Sequence, residues 1–348
     1  KICEYSELHS KAQQLADKAP LAISLKELTP AGDSDFEQVQ RKLTITSDPE
    51  NKFAPKILIR PQQTPWRVGS YSGLVKHLAH EKVQPGADDE QFPEVDVIID
   101  ELDQQPSRFT FERGANAGSF MHLVLELIDF TNASPGLDEH LPNAMKKYGI
   151  DESWTSVLKD WYLDLLFAPL ATDNTLSLAQ LSDNQKLVEM EFYLPISKLN
   201  ASKLNQLLID FGYSAGLLFD DLQGMLKGFI DLTFEHNQQY FIADYKSNHL
   251  GDSLDLYNYQ SMKTAISSHR YDLQYIIYTL ALHRYLSLRM TDYDYDQHIG
   301  GSFYLFLRGM SVSAPQAGVY YDKPPKALIE KLDLLFGNLS TTSSIEAN

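Results

Sequence analysis

The sequence predicts an α/β domain in which a central mixed β-sheet is flanked by helices. Two segments rich in β-branched and aromatic residues, Gly228-Phe-Ile-Asp-Leu-Thr-Phe and Tyr240-Phe-Ile-Ala-Asp-Tyr-Lys-Ser-Asn, flank the polar run Glu235-His-Asn-Gln-Gln and read as a hairpin. Lys186-Leu-Val-Glu-Met-Glu-Phe-Tyr-Leu-Pro alternates as a further strand, with Glu189 and Glu191 expected on one face and Val188, Met190 and Phe192 on the other. Helical periodicity surrounds these strands, in Arg113 to Ile128, in Gly136 to Leu181 and from Arg270 to Tyr285.

In chain order, Glu4 to Lys18 reads as one helix, and Thr29 to Pro65 as a polar, proline-punctuated tether. Order resumes over Trp66 to His80, where Ser70-Tyr-Ser-Gly-Leu opens a short helix, and the compact body begins near Phe109. The expected boundary therefore separates 1–65 from 66–348. In the first body helix Gly114, Gly118, His122 and Glu126 recur every four residues and share a stripe, where glycines admit a close backbone. Trp154, Trp161, Leu165 and Leu166 anchor the helices that cover the sheet. Gln274 and Tyr278 are i,i+4 neighbours on the last of the long helices.

The chemistry concentrates in the hairpin. A turn centred between Asn237 and Gln238 sets Asp231 opposite Asp244, and side-chain alternation puts Lys246 on the face of Asp244. Like charges facing each other across a sheet destabilise it, so two aspartates in an apolar hairpin call for a compensating cation. Hard oxygen ligands suit Mg²⁺, which polarises a phosphoryl oxygen and lowers the pKa of a bound water. Lys246 would orient that water or offset charge on a phosphate. The plainer reading is an ion pair on a solvated face. Against it, Ile230, Leu232 and Phe234, with Phe241 and Ala243, make the opposite face apolar and Ile242 sits among the charges, so the strand reads as buried. His122 offers an imidazole ligand if its helix crosses the hairpin; a hydrogen-bonded core histidine is the alternative. Glu189 is the candidate for a further carboxylate, Glu191 being read as exposed. Gln274 and Tyr278 could touch the lysine, a phosphate or a base, although Tyr278 also fits a core stripe with Leu273, Ile277, Leu280 and Ala281.

The ordered set of glycine-rich helix with His122, strand with Glu189, Asp231, Asp244-x-Lys246 and Gln274-x-x-x-Tyr278 resembles the RecB-type PD-(D/E)xK nucleases. Val188-Glu-Met-Glu-Phe-Tyr-Leu-Pro-Ile, Met225-Leu-Lys-Gly-Phe-Ile-Asp-Leu and His269-Arg-Tyr-Asp-Leu-Gln-Tyr carry it further, and the likeness runs from Trp66 to near Phe336. It implies a restriction-endonuclease-like core. It also implies a metal held by His122, Asp231, Asp244 and the main-chain carbonyl of Tyr245, with Glu189 and Lys246 completing the catalytic set. Gln274 and Tyr278 match the family's helix motif, which supports the lysine and the nucleic-acid strand. The expected activity is Mg²⁺-dependent cleavage of DNA, single-stranded by preference because a strand must reach a buried metal. Imidazole favours later transition metals, so Mn²⁺ should substitute. Expected partners are the RecC and RecD subunits and RecA. A nuclease-like scaffold that binds such partners without activity is the alternative, disfavoured because the acidic and lysine positions are complete.

Composition agrees with this and limits it. With 43% hydrophobic residues in 348 the chain can bury a large core. It lacks a membrane-spanning apolar run and a signal sequence, which gives the expectation of a soluble, cytoplasmic protein. Cys3 alone excludes a disulfide framework, a cysteine zinc site and a four-cysteine iron-sulfur cluster. No Gly-x-x-x-x-Gly-Lys-Ser/Thr loop is present, so no ATP site is expected, and in the resembled family the motor would precede residue 1. Against 30 basic residues stand 47 acidic ones, a formal net of -17, with eight acids and no base between Asp88 and Asp103. A domain that gripped DNA by its own field would be basic, so partners are expected to deliver the strand.

Overall fold

Two strands joined by a two-residue turn set the register of the sheet. In the computed structural model Asn237 and Gln238 both adopt left-handed backbone conformations, φ 52° and 64°, as a twisted two-residue hairpin turn requires. The Glu235 carboxylate accepts the Gln238 N–H at 2.6 Å and holds the turn closed. The structure describes residues 66–75, 105–170 and 176–337, with a few helical positions between 10 and 17. The expected tether Thr29 to Pro65 and the acidic stretch Asp88 to Asp103 lie outside the described residues. Of the expected helix Glu4 to Lys18 only Ser10, Lys11, Gln13, Gln14 and Asp17 are described, all helical. Lys1–Pro61 and Gln62–Asn348 form separate units, and the second carries the fold that follows.

Its elements are β1 (Trp66–Ser70), α1 (Tyr71–Val75), α2 (Ala115–Leu127), α3 (Ala133–Tyr148), α4 (Thr155–Phe167), β2 (Lys186–Leu199), α5 (Ala201–Asp210), β3 (Leu222–His236), β4 (Gln239–Lys246), α6 (Tyr259–Ser268), α7 (Tyr271–Arg289), α8 (Tyr295–His298), β5 (Ile299–Phe306), β6 (Val319–Asp322) and α9 (Lys326–Phe336). Local chemistry sets several boundaries. Asn200 and Asn258 cap the exposed N–H groups that open α5 and α6, and α3 stops at left-handed Gly149 after Lys146 and Lys147. Among the described residues no helix is long and apolar enough to cross a membrane.

The described strands make one mixed sheet. β2 runs antiparallel along the whole of β3, β4 runs parallel to β5, and β6 closes the edge antiparallel to β5. The other edge of β3 is shared. β1 pairs with it in parallel from Gln223 to Lys227, and β4 pairs antiparallel from Leu232 to His236, so 228–231 fall in the gap between the two ladders.

Two cores lie on opposite sides of this sheet. One packs α5, α6, α7 and α9 against Leu194, Leu226, Ile230, Ile242 and Tyr304; the other packs α2, α3 and α4 against Leu232, Phe234, Ala243, Tyr245 and Leu305. A regular β3 would place Ile230, Leu232 and Phe234 on one face, as its period predicts, but Ile230 joins the first core while Leu232 and Phe234 join the second. β2 changes face at the same level, with Val188 on the second core and Met190 and Phe192 on the first. The expectation that these three residues share a face is therefore corrected. The reversal falls at Glu189, which takes φ 51° between the pairs Val188↔Leu232 and Met190↔Ile230, a left-handed conformation that breaks the alternation of an extended strand. Glu191 stays on the exposed side, paired to Lys227 at 2.6 Å.

The shared edge of β3 depends on glycine at 224. Gly224 has φ +139°, and a Cβ there would stand 1.8 Å from the Arg67 carbonyl oxygen. Gly224→Ala should cost at least about 2 kcal/mol by strain and by unzipping β1 from β3, and thermal unfolding should show a lowered Tm. A Tm equal to that of the parent chain would mean that the β1 pairing contributes nothing to the fold.

Candidate active site

The sequence-derived acids and lysine converge where β3 and β4 part. The antiparallel ladder ends at Leu232↔Ala243, one step short of Asp231 and Asp244. From there β4 continues against β5, with Asp244↔Tyr304 and Lys246↔Phe306. Asp231 turns its carboxylate to the backbone: Oδ2 accepts the Tyr245 N–H at 2.7 Å, a donor that a continued ladder would have engaged. Asp231 is 7%, Asp244 0% and Lys246 2% exposed, so a solvated surface ion pair is excluded.

Lys246 is held on several sides. Its Nζ lies 2.6 Å from Asp244 Oδ2 and donates to Gln274 Oε1 at 3.3 Å. Gln274 Oε1 also accepts the Tyr304 hydroxyl at 2.9 Å, while Gln274 Nε2 donates to the Tyr278 hydroxyl at 3.1 Å. The ammonium sits 4.1 Å from the ring centroid of Tyr271 and 5.3 Å from that of Tyr304. Of the two helix residues singled out in the sequence, Gln274 contacts the lysine directly. Tyr278 is hydrogen-bonded to Gln274 and packs edge-on against Phe192 in the core.

On the other side of the sheet, α2 brings His122 to the same point. Its Nε2 lies 3.0 Å from the Tyr245 carbonyl oxygen and its Nδ1 3.5 Å from Asp231 Oδ2. The expected stripe holds only in part, because Gly114 with φ 94° caps α2 instead of entering it and Glu126 is exposed. Glu189 is half-buried at the level of Asp231 across the β2–β3 pair. Burial first, and then the charges of Asp231, Glu189 and Asp244, push the Tyr245 phenol well above its ordinary value, so it is neutral.

The donor set suits a hard divalent cation. Two buried carboxylates and one ammonium meet here at low dielectric, where charge is costly to bury and a cation between the carboxylates would be favoured. His122 sets Nε2 against the Tyr245 carbonyl oxygen and Nδ1 toward the Asp231 carboxylate, so one imidazole borders two oxygens that a cation could share. Among the described residues no three His, Cys, Asp or Glu side chains already stand at ligand distances. In the arrangement seen, Asp244 pairs with Lys246 and His122 with the Tyr245 carbonyl, so a metal would exchange these contacts for its own. Asp231, Asp244, His122 and the Tyr245 carbonyl fit such an ion.

Sequence reasoning missed three residues. Arg308 is fully buried beyond β5 and donates to the carbonyls of Ser247 at 2.9 Å, Arg108 at 2.8 Å and Phe111 at 3.1 Å, and to that of Glu112. It thereby ties the end of β4 to the segment leading into α2. Tyr304 touches the site across the β4–β5 pairing, which no local pattern reveals. Tyr271 was legible, since it stands three residues before Gln274 on the same helix.

A PD-(D/E)XK nuclease superfamily model matches residues 99–339. The chain belongs to the PD-(D/E)XK nuclease superfamily. Its mixed sheet between helical layers is the architecture expected of that superfamily. It is 44% identical over 287 residues to the RecBCD enzyme subunit RecB of Escherichia coli K12, covering 79% of this chain and 23% of that protein. To the RecB subunit of Haemophilus influenzae it is 39% identical over 227 residues, 64% of this chain and 18% of that protein. To that of Mycobacterium tuberculosis H37Rv it is 30% identical over 325 residues, 78% and 29%. The chain thus spans about a quarter of the length of these relatives.

His249 lies 3.0 Å from the Arg113 guanidinium and 2.9 Å from Asp252. Burial, with help from Arg113, lowers its pKa, and burial likewise lowers that of His283 on α7. Both bind protons less readily folded than unfolded. Their contribution to stability is therefore complete above the ordinary histidine value of 6.5 and is lost as pH falls below it. The Tm should decline from pH 7.5 to about pH 5, before carboxylates titrate, and His283→Gln should flatten the decline. A Tm constant across that range would contradict neutral burial of these imidazoles.

Proposed function

We propose that this chain hydrolyses DNA phosphodiester bonds with a bound divalent cation, Mg²⁺ or in its place Mn²⁺, and that single-stranded DNA is the preferred substrate. The observation that carries the reading is the buried set of Asp231, Asp244 and Lys246 at the parting of β3 and β4, in a chain of a nuclease superfamily. Asp231, Asp244, the Tyr245 carbonyl and His122 hold the metal. Bound there, it supplies Lewis-acid polarisation of a phosphoryl oxygen and a nucleophilic water at neutral pH.

The chain's own groups do the rest. Lys246 brings a positive charge to the oxygens of the scissile phosphate, where negative charge accumulates during displacement. Asp244 and Gln274 keep that ammonium in place before substrate arrives. Glu189, across from Asp231, adds a carboxylate at the edge of the site and completes the catalytic set. Gln274 and Tyr278 support the lysine, and through it the strand being cut. A site this deep favours a flexible single strand over a stiff duplex.

By similarity to RecB subunits of the RecBCD enzyme, the chain acts as the nuclease module of a RecBCD-type complex for DNA end processing, beside RecC and RecD and with RecA as a further partner. Its net charge of -17 supports delivery of the strand by partners.

The deciding experiment incubates the chain with linear and with circular single-stranded DNA in Mg²⁺, and repeats both with EDTA. Cleavage that EDTA abolishes is expected; loss of linear substrate alone indicates attack from ends, and loss of both indicates internal cuts. Asp244→Ala should abolish cleavage while circular dichroism stays native. Lys246→Gln should still bind Mn²⁺, and its turnover should drop by a factor of about 10² or more. Undiminished turnover by Lys246→Gln would remove the lysine from the mechanism, and full activity in EDTA would remove the metal.

A further inference from the structure

We infer that Tyr271 is a positioning residue for Lys246, acting through the face of its ring, and that the strut Tyr71–Arg270 exists to hold that ring in place. The inference rests on the nuclease reading for its catalytic consequence only. The ammonium of Lys246 lies 4.1 Å from the Tyr271 ring centroid, the shorter of its two aromatic contacts, in a place shielded from water. A desolvated cation over an aromatic face is attracted by the ring quadrupole more strongly than at a surface. The hydroxyl of Tyr271 donates to Asn248 Oδ1 at 3.3 Å, while the face of its ring lies against the lysine.

The backbone that delivers this ring is strained and braced. Arg270, immediately before α7, adopts φ 60° and ψ 25°, a left-handed conformation that a non-glycine residue keeps only when its surroundings enforce it. Its guanidinium donates to Asp272 Oδ1 at 3.1 Å, to the Ala215 carbonyl at 3.2 Å and to the Ser214 carbonyl at 2.9 Å. Its own carbonyl accepts the Tyr71 hydroxyl at 2.6 Å. Tyr71 belongs to the Ser70-Tyr-Ser-Gly-Leu motif, whose purpose the sequence left open. The Tyr271 ring is then flanked by His269, stacked at 5.2 Å, and by Tyr304 at 5.7 Å. A core tyrosine needs none of this bracing; a ring that must cover an ammonium within a fraction of an ångström does.

The test is a double-mutant cycle between Tyr271 and Lys246 in the full chain, read in thermal unfolding and in turnover. Tyr271→Phe keeps the ring face and should retain wild-type turnover. Tyr271→Leu fills the space without a quadrupole and should lower kcat about tenfold or more with KM for a single-stranded oligonucleotide unchanged. In a Lys246→Gln background the same Tyr271→Leu change should cost little further turnover. In unfolding, Tyr271→Leu should destabilise the chain less when Lys246 is Met than when it is Lys. Equal losses in the two unfolding backgrounds, or a Phe variant as slow as the Leu variant, would overturn the inference. The unfolding cycle decides whether ring and ammonium are coupled even if the parent chain cleaves no DNA. Such inactivity would sink the nuclease reading, and the positioning role with it, by a separate observation.

Discussion

Two buried carboxylates and one ammonium occupy the point where β3 and β4 separate, and the surrounding structure is arranged to make that tolerable. As a source of stability the arrangement is poor. Desolvating charges costs several kcal/mol per ion, and a well-packed apolar replacement of a buried ion pair is often as stable or more so. Fold stability comes instead from the two hydrophobic cores that meet across the sheet at this level. The polar cluster sits in the seam between them, at a position where one-sided removal of charge leaves its partner buried and unpaired. Each neighbour of Lys246 removes part of that penalty: a carboxylate, an amide oxygen and two aromatic faces.

The turnover of β2 and β3 at Glu189 and Asp231 explains how one strand serves both cores. Along its first half β3 faces the helices α5, α6, α7 and α9, and along its second half it faces α2 and α4. The same point divides its free edge between β1 and β4. A strand that twists over while its neighbour changes leaves a gap, and Asp231, the candidate site carboxylate of β3, stands there. Arg308 then ties the exit of β4 to the approach to α2, so that Lys246 and His122, far apart in sequence, are carried on segments fixed to one guanidinium.

How much of this could be read in advance follows from the range of each signal. The hairpin register from Leu232↔Ala243 to His236↔Gln239 follows from period-two alternation around a short polar turn, and the facing of Asp231 and Asp244 expected from it falls one step beyond the last ladder pair. Gln274 beside Tyr278 follows from helical spacing. The turnover at Glu189 was invisible, because glutamate has no preference for φ 51° and only the pairing on either side imposes it. Tyr304 and Arg308 were invisible because they reach the site through a parallel pairing and through backbone carbonyls, contacts that leave no mark on residue order. His122 was readable as a candidate, but its contact with a main-chain oxygen is a property of the fold alone.

The acidity of the chain does not conflict with a polyanionic substrate once distance is considered. At physiological salt, fields between exposed charges fade over about 8 Å, so the sum of -17 matters less at the site than the groups within that radius. Chief among those groups is the Lys246 ammonium, buried beside Asp244 and Gln274. On the proposed nuclease reading, the Lys246 ammonium would attract a phosphate that has already arrived. The same screening leaves no long-range pull to bring it there, and the net charge repels a strand at low salt. On the proposed nuclease reading, such a centre would act on a strand brought to it and would not draw one in from a distance.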